Sequence, residues 1–117
     1  MQKALIALAA LVATTALAVP VLAAPAAQTV RVTEREYRIG LSARPKAGNV
    51  TFVIRNTGDD GHDFWLRGGG KTLKSRVLGE GGTARLTTRL KKGVRYTYWC
   101  AVGDHASEGM RGSFVAR

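Results

Sequence analysis

The chain has 117 residues and a formal net charge of +10, from 18 Lys and Arg against 8 Asp and Glu. That length makes one domain the expectation. The single cysteine excludes an internal disulfide, and the excess of cations favours acidic surfaces.

The first expected element is an export signal. Met1-Gln2-Lys3 precedes an uncharged Ala/Leu/Val-rich run to Ala27. One basic residue, a short apolar core and then small residues make the pattern of a secretory signal peptide. Val21-Leu22-Ala23 sets the expected cut after Ala23, and cuts after Ala26 or Ala27 fit nearly as well. The alternative is an uncleaved membrane anchor, against which Pro20 and the small residues closing the run both argue. The expected organisation is residues 1–23 as signal peptide and 24–117 as the folded domain, in the periplasm or secreted. For an exported chain the acidic surface is a protein or an anionic membrane rather than nucleic acid. The cations are scattered along the chain and form no dense basic block.

The rest reads as short strands. Val30 and Val32 alternate with Arg31; Tyr37, Ile39 and Leu41 alternate with Arg38 and Gly40. Phe52 and Ile54 share a face within 49–56. His62, Phe64 and Leu66 share one after the Gly58-Asp59-Asp60-Gly61 turn. Ala84, Leu86, Thr88 and Leu90 form the next face, then Val94, Tyr96, Tyr98 and Cys100, and Phe114 with Ala116 close the chain. A period of two means strands with one buried face. Gly68-Gly69-Gly70, the Gly79–Gly82 stretch and Lys91-Lys92-Gly93 punctuate them as loops. No segment of the domain holds a 3.6-residue apolar period. Seven to eight short strands at this spacing predict an all-β antiparallel β-sandwich.

Cys100 is then a buried inert thiol, half of an intermolecular pair, or a metal ligand. It opens the segment Cys100-Ala101-Val102-Gly103-Asp104-His105-Ala106-Ser107-Glu108-Gly109-Met110, which has the skeleton C-x4-H-x4-M. A loop of this length curls round one ion and presents three donors. The other histidine, His62, begins a strand that a sandwich brings to the same end. Taken singly, each residue has a plainer reading as core thiol, core histidine or gap-filling methionine. Taken together, the domain's only Cys, both His and its only Met fall in one spacing. Thiolate and thioether are soft and imidazole intermediate, a set that favours copper; His₂Cys with a weak axial Met is the donor set of blue-copper sites.

On these residues the chain resembles the cupredoxin family, specifically small plastocyanin-like type 1 copper proteins. The segment 47–58 resembles the family's second core strand, His62-Asp63-Phe64 its first ligand segment, and 96–112 its ligand loop. The resemblance implies a Greek-key sandwich and one copper ion held by His62, Cys100, His105 and Met110. Two residues depart from the family's habit. Gly103-Asp104 replaces a common Pro-Gly and puts an anion beside His105. Asp63 replaces a common Asn, which keeps the backbone N–H directed at the thiolate but leaves the side-chain bracing of the loop open. Trp65, Trp99, Tyr96 and Tyr98 read as packing groups. Gly70-Lys71-Thr72 is not a phosphate-binding loop, since Trp65 occupies the position of that motif's first glycine.

The resemblance further implies a one-electron carrier, not an enzyme: copper oxidases need additional histidines and a binuclear site needs two cysteines. A copper storage or delivery protein is the alternative. Electrons would pass at the His105 edge, through a patch of Ala101, Val102, Ala106 and Gly109. The basic surface would steer an acidic redox partner there, such as a c-type cytochrome, an oxidase or a reductase. The protein is expected to be a monomer, with peripheral attachment to an anionic membrane as a further expectation.

Overall fold

A computed structural model describes residues 1–22 and 27–117; the expected cut after Ala23, and the alternative after Ala26, abut residues 23–26, which lie outside the described residues. Residues 1–22 form neither helix nor strand, and among the described residues no helix is long and apolar enough to cross a membrane.

Eight strands follow: β1 (Gln28–Arg35), β2 (Arg38–Leu41), β3 (Gly48–Asn56), β4 (Trp65–Gly68), β5 (Lys71–Lys74), β6 (Thr83–Leu90), β7 (Arg95–Trp99) and β8 (Arg111–Val115). They make two four-stranded sheets, ordered β2-β1-β3-β6 and β5-β4-β7-β8. This is the all-β sandwich the alternation predicts. The pairs are antiparallel except β1 with β3, which run parallel. The exception arises because β2 returns along one side of β1 and the chain then crosses to the other.

The alternation puts Val30 and Val32 of β1, Val50, Phe52 and Ile54 of β3, and Leu90 of β6 into one layer of the core. Leu66, Tyr96, Phe114 and Ala116 face them from the second sheet. Phe52 and Phe64 meet at 5.7 Å between ring centroids, and Tyr96 stacks on Phe114 at 5.5 Å. On the outer face Trp65 stacks on Trp99 at 5.7 Å, and Lys74 and Arg67 lie over the two indoles. All four large aromatics are packed, as expected.

Three local expectations change. Tyr37 leaves the strand pattern: Arg35 pairs with Arg38, so Glu36 and Tyr37 form a two-residue turn. The strand expected to begin at His62 begins at Trp65, and His62 instead makes a lone bridge to Leu78, donating to its carbonyl at 3.0 Å and accepting from its N–H at 2.7 Å. Finally, the glycine loop at 68–70 shrinks to a tight turn at Gly69 and Gly70, with φ of 57° and 77°, which opens an extra edge strand, β5. Both central residues of such a turn need positive φ, which glycine adopts without a Cβ clash.

The carboxylates, though not the cations, are confined to one end of the sandwich: Arg35, Arg38, Lys74 and Arg111 stand at that end too. Every carboxylate side chain of residues 27–117 lies at one end. Glu34 and Glu36 stand at the end of β1, Asp59, Asp60 and Asp63 before β4, Glu80 before β6, and Asp104 with Glu108 between β7 and β8. The opposite end carries cations only, among them Arg44, Lys46, Lys71, Lys91, Lys92 and Arg117.

Phe52 is fully buried and supports Phe64, two residues from His62. Phe52→Ala is expected to lower the free energy of unfolding by about 3–5 kcal/mol; urea titration followed by Trp fluorescence measures it.

Candidate metal centre

His62 comes from the segment before β4, and Cys100 and His105 from the loop between β7 and β8; the three converge at the carboxylate-bearing end. Cys100 follows the last residue of β7 on the inward face already occupied by Tyr96 and Tyr98. Its N–H donates to the Met110 carbonyl at 3.0 Å, which ties the mouth of the loop. Inside the loop, successive turns reverse the chain: His105 N–H donates to Val102, Glu108 to Asp104 and Gly109 to Ala106. Met110 N–H then donates to the His105 carbonyl at 3.0 Å. The loop is thus a set of nested turns that returns the chain from Cys100 through His105 to Met110. Met110 is fully buried at the start of β8.

His62 is positioned by its bridge to Leu78 and by Asn56, a buried amide that donates to the Leu78 carbonyl at 2.8 Å. The imidazoles of His62 and His105 approach Nδ1 to Nδ1 at 3.1 Å, and Cys100 Sγ lies 3.9 and 3.7 Å from the two nitrogens. A metal in a trigonal plane, about 2.0 Å from each nitrogen and about 2.3 Å from sulfur, sets S···N near ~3.7 Å and N···N near ~3.5 Å. The donor atoms already stand close to those separations. Three buried residues whose ligand atoms all lie within 4.8 Å of one another fit a metal ion.

The residues around the donors carry the electrostatics. Asp63 Oδ1 accepts from Ala101 N–H at 2.7 Å and Oδ2 accepts from Trp65 Nε1 at 2.9 Å. The bracing left open by the Asn-to-Asp departure is therefore present, performed by a carboxylate. Burial pushes the Cys100 thiol upward, while the backbone amides of Asp63 and Val102 pull it back down. Binding a metal would displace the thiol proton. Asp104, expected to act on His105, is exposed and forms no ion pair with it among the described residues. Water screens an anion in that position.

No protein-family model matches the chain, and no curated protein matches it. Solved structures do. Auracyanin B superposes with a TM-score of 0.67 at 19% identity, over 82% of this chain and 93% of that one. The dithionite-reduced auracyanin of the photosynthetic bacterium Roseiflexus castenholzii gives 0.64 at 17%, over 79% and 98%. Auracyanin A, a "blue" copper protein from the green thermophilic bacterium Chloroflexus aurantiacus, gives 0.63 at 17%, over 79% and 100%.

The chain has the cupredoxin fold.

On that fold the cluster of His62, Cys100 and His105, with Met110 beside it, fits a single type 1 copper ion. Sequence reasoning missed three side chains of this cupredoxin centre. Tyr37, 43% exposed, packs edge-on against His105 with ring centroids 5.3 Å apart. Glu36 places Oε1 3.0 Å from His62 Nε2. Glu36 is held down to about 2, first by the Asp60 N–H and also by His62. The third is Glu34, which shares the inward face of Val30 and Val32, so the alternation itself marks it. It is fully buried, and neither carboxylate oxygen has a hydrogen-bond partner among the described residues.

Burial, reinforced by the Asp63 carboxylate, raises Glu34 to about 8. The folded protein therefore keeps a proton that the unfolded chain loses above its ordinary value of 4.5. Stability falls as pH rises through that window, by at most about 1.4 kcal/mol per pH unit for one proton. Denaturant unfolding of the metal-free protein between pH 5 and pH 8 is expected to show this slope, and Glu34→Gln to remove it.

Proposed function

We propose that this protein is an exported mononuclear blue-copper protein that carries single electrons between redox partners. The observation that carries the reading is the convergence of two imidazole nitrogens and one cysteine sulfur at separations close to those a shared metal sets, on a cupredoxin fold that also buries Met110. His62, Cys100 and His105 would hold the ion, with the Met110 thioether as a fourth, softer donor. When bound, copper would supply a one-electron Cu(II)/Cu(I) couple.

The chain's own residues do the rest. The nested turns and the Asp63 carboxylate fix the donors before any metal arrives, so little need move when the charge changes. Phe64, two residues after His62, and Leu78, its bridge partner, are both buried and keep water from the inward side. His105 is 9% exposed, and Ala101, Val102, Ala106 and Gly109 surround it with small apolar surface. That patch is where a partner would dock. The apolar N-terminal run supports export. No further His or Cys remains for a second metal or a catalytic site, which supports a carrier over an enzyme. Donors buried in a fixed arrangement favour a carrier over copper delivery.

The charge layout alters the docking expectation. The ligand loop's own charges are Asp104 and Glu108, whereas the purely cationic region is at the far end. Net charge would bring the protein to redox partners with acidic surface, such as a c-type cytochrome, an oxidase or a reductase. Orientation at the contact would come from the apolar patch and Tyr37.

Copper-loaded protein is expected to be intensely blue or green from thiolate-to-copper charge transfer. Cys100→Ser should abolish the colour; Met110→Leu should keep it and raise the reduction potential. A redox titration should give a reversible couple without loss of metal. A colourless copper-loaded protein overturns the copper reading, and metal release on reduction overturns the carrier reading.

A further inference from the structure

The β1–β2 turn touches both imidazoles of the donor cluster. Tyr37 packs against His105, and the Glu36 carboxylate reaches His62 on the ring nitrogen that points away from Cys100. Nothing in the strand pattern requires a carboxylate there, yet three separate features hold it. Asp60 N–H donates to Oε1 at 2.8 Å. His62 Nε2 lies on the same oxygen at 3.0 Å. Gly58 lies flat beneath the carboxylate, where a Cβ would collide with Oε1, Cδ and Oε2. Gly58 is in turn fixed by its N–H donating to Asn56 Oδ1 at 2.8 Å. The carboxylate occupies a fitted seat.

A carboxylate only accepts hydrogen bonds, so a neutral His62 facing it must carry its proton on Nε2. That leaves the Nδ1 lone pair free, and Nδ1 is the atom 3.1 Å from His105 Nδ1 and 3.9 Å from Cys100 Sγ. A metal-binding histidine whose second nitrogen donates to a carboxylate has its tautomer and ring orientation fixed and its basicity raised. The anion also adds negative charge near the ion, which favours the more highly charged oxidation state.

We propose that Glu36 is a positioning residue of the metal centre: it fixes His62 as the Nε2–H tautomer, presents Nδ1 to the ion, and stabilises Cu(II) over Cu(I). This rests on the copper reading above. Glu36 acts through His62 and does not itself touch the ion.

Two variants of the full chain separate orientation from charge. Glu36→Gln keeps an acceptor oxygen for Asp60 N–H and His62 Nε2–H but removes the charge. Glu36→Ala removes both. In the metal-free protein, ¹⁵N NMR of the imidazoles is expected to show His62 protonated at Nε2 in wild type and in Glu36→Gln, and a tautomer mixture in Glu36→Ala. In the copper-loaded protein, Glu36→Gln is expected to raise the reduction potential while keeping the visible band. Glu36→Ala is expected to weaken Cu(II) binding by about 10–100-fold. Gly58→Ala, which blocks the seat, should move in the direction of Glu36→Ala without altering the carboxylate chemically. A wild-type protein protonated at Nδ1 overturns the proposal, as does a Glu36→Gln potential equal to wild type. If wild type fails to take up copper with colour, the copper reading fails instead, while the tautomer measurement still tests Glu36 alone.

Discussion

Asn56 is the last residue of β3, and its buried amide commits every hydrogen it can donate to the loops around the donor cluster. Nδ2 donates to the Asp60 carbonyl at 2.7 Å and to the Leu78 carbonyl at 2.8 Å; Oδ1 accepts from Gly58. Its backbone closes the same junction, donating to Gly82 and accepting from Gly81. One side chain therefore fixes the turn that seats Glu36, the segment that bridges His62, and the return into β6. A buried amide left without partners would cost on the order of 1–3 kcal/mol, so the loops and the amide hold one another in place. The centre is consequently a property of the sandwich's end and not of the ligand loop alone.

How much of this was legible in the sequence depends on what each residue's position is determined by. Residues placed by alternation were readable: Val30, Val32, Phe52, Ile54 and Tyr96 are inward because a strand has a period of two. The residues of the candidate centre stood out because their chemistry is scarce in this chain, with one Cys and two His. Glu34 stood on the Val30 and Val32 face and carried a signal that the pattern of apolar residues alone passes over. Glu36 and Tyr37 carried none. Their roles follow from a two-residue turn that lacks the usual Asn-Gly or Asp-Gly signature and so looks like continuing strand. The edge strand β5 was likewise hidden, since Lys71-Thr72-Leu73-Lys74 offers only one apolar side chain and pairs because the Gly69-Gly70 turn returns it onto β4.

The carboxylates near the centre have separate physical duties, set by what each one faces. Asp63 faces two N–H donors and braces the ligand loop by accepting from both. Glu36 faces an amide, an imidazole and the edge of solvent, which keeps it ionised. Glu34 faces hydrocarbon and Asp63, which keeps it protonated near neutrality. Three acids at one end of a sandwich thus occupy three different electrostatic conditions, and the metal donors sit among them. Placing Glu34 beside a second acid is unfavourable for the fold taken alone.

With every carboxylate side chain at the donor end and only cationic side chains at the other, positive potential is concentrated at the far tip. In the field of an anionic surface such a body turns before it touches. The cationic tip leads, and the face around His105 is left pointing outward. Long-range attraction and short-range contact would then belong to opposite tips.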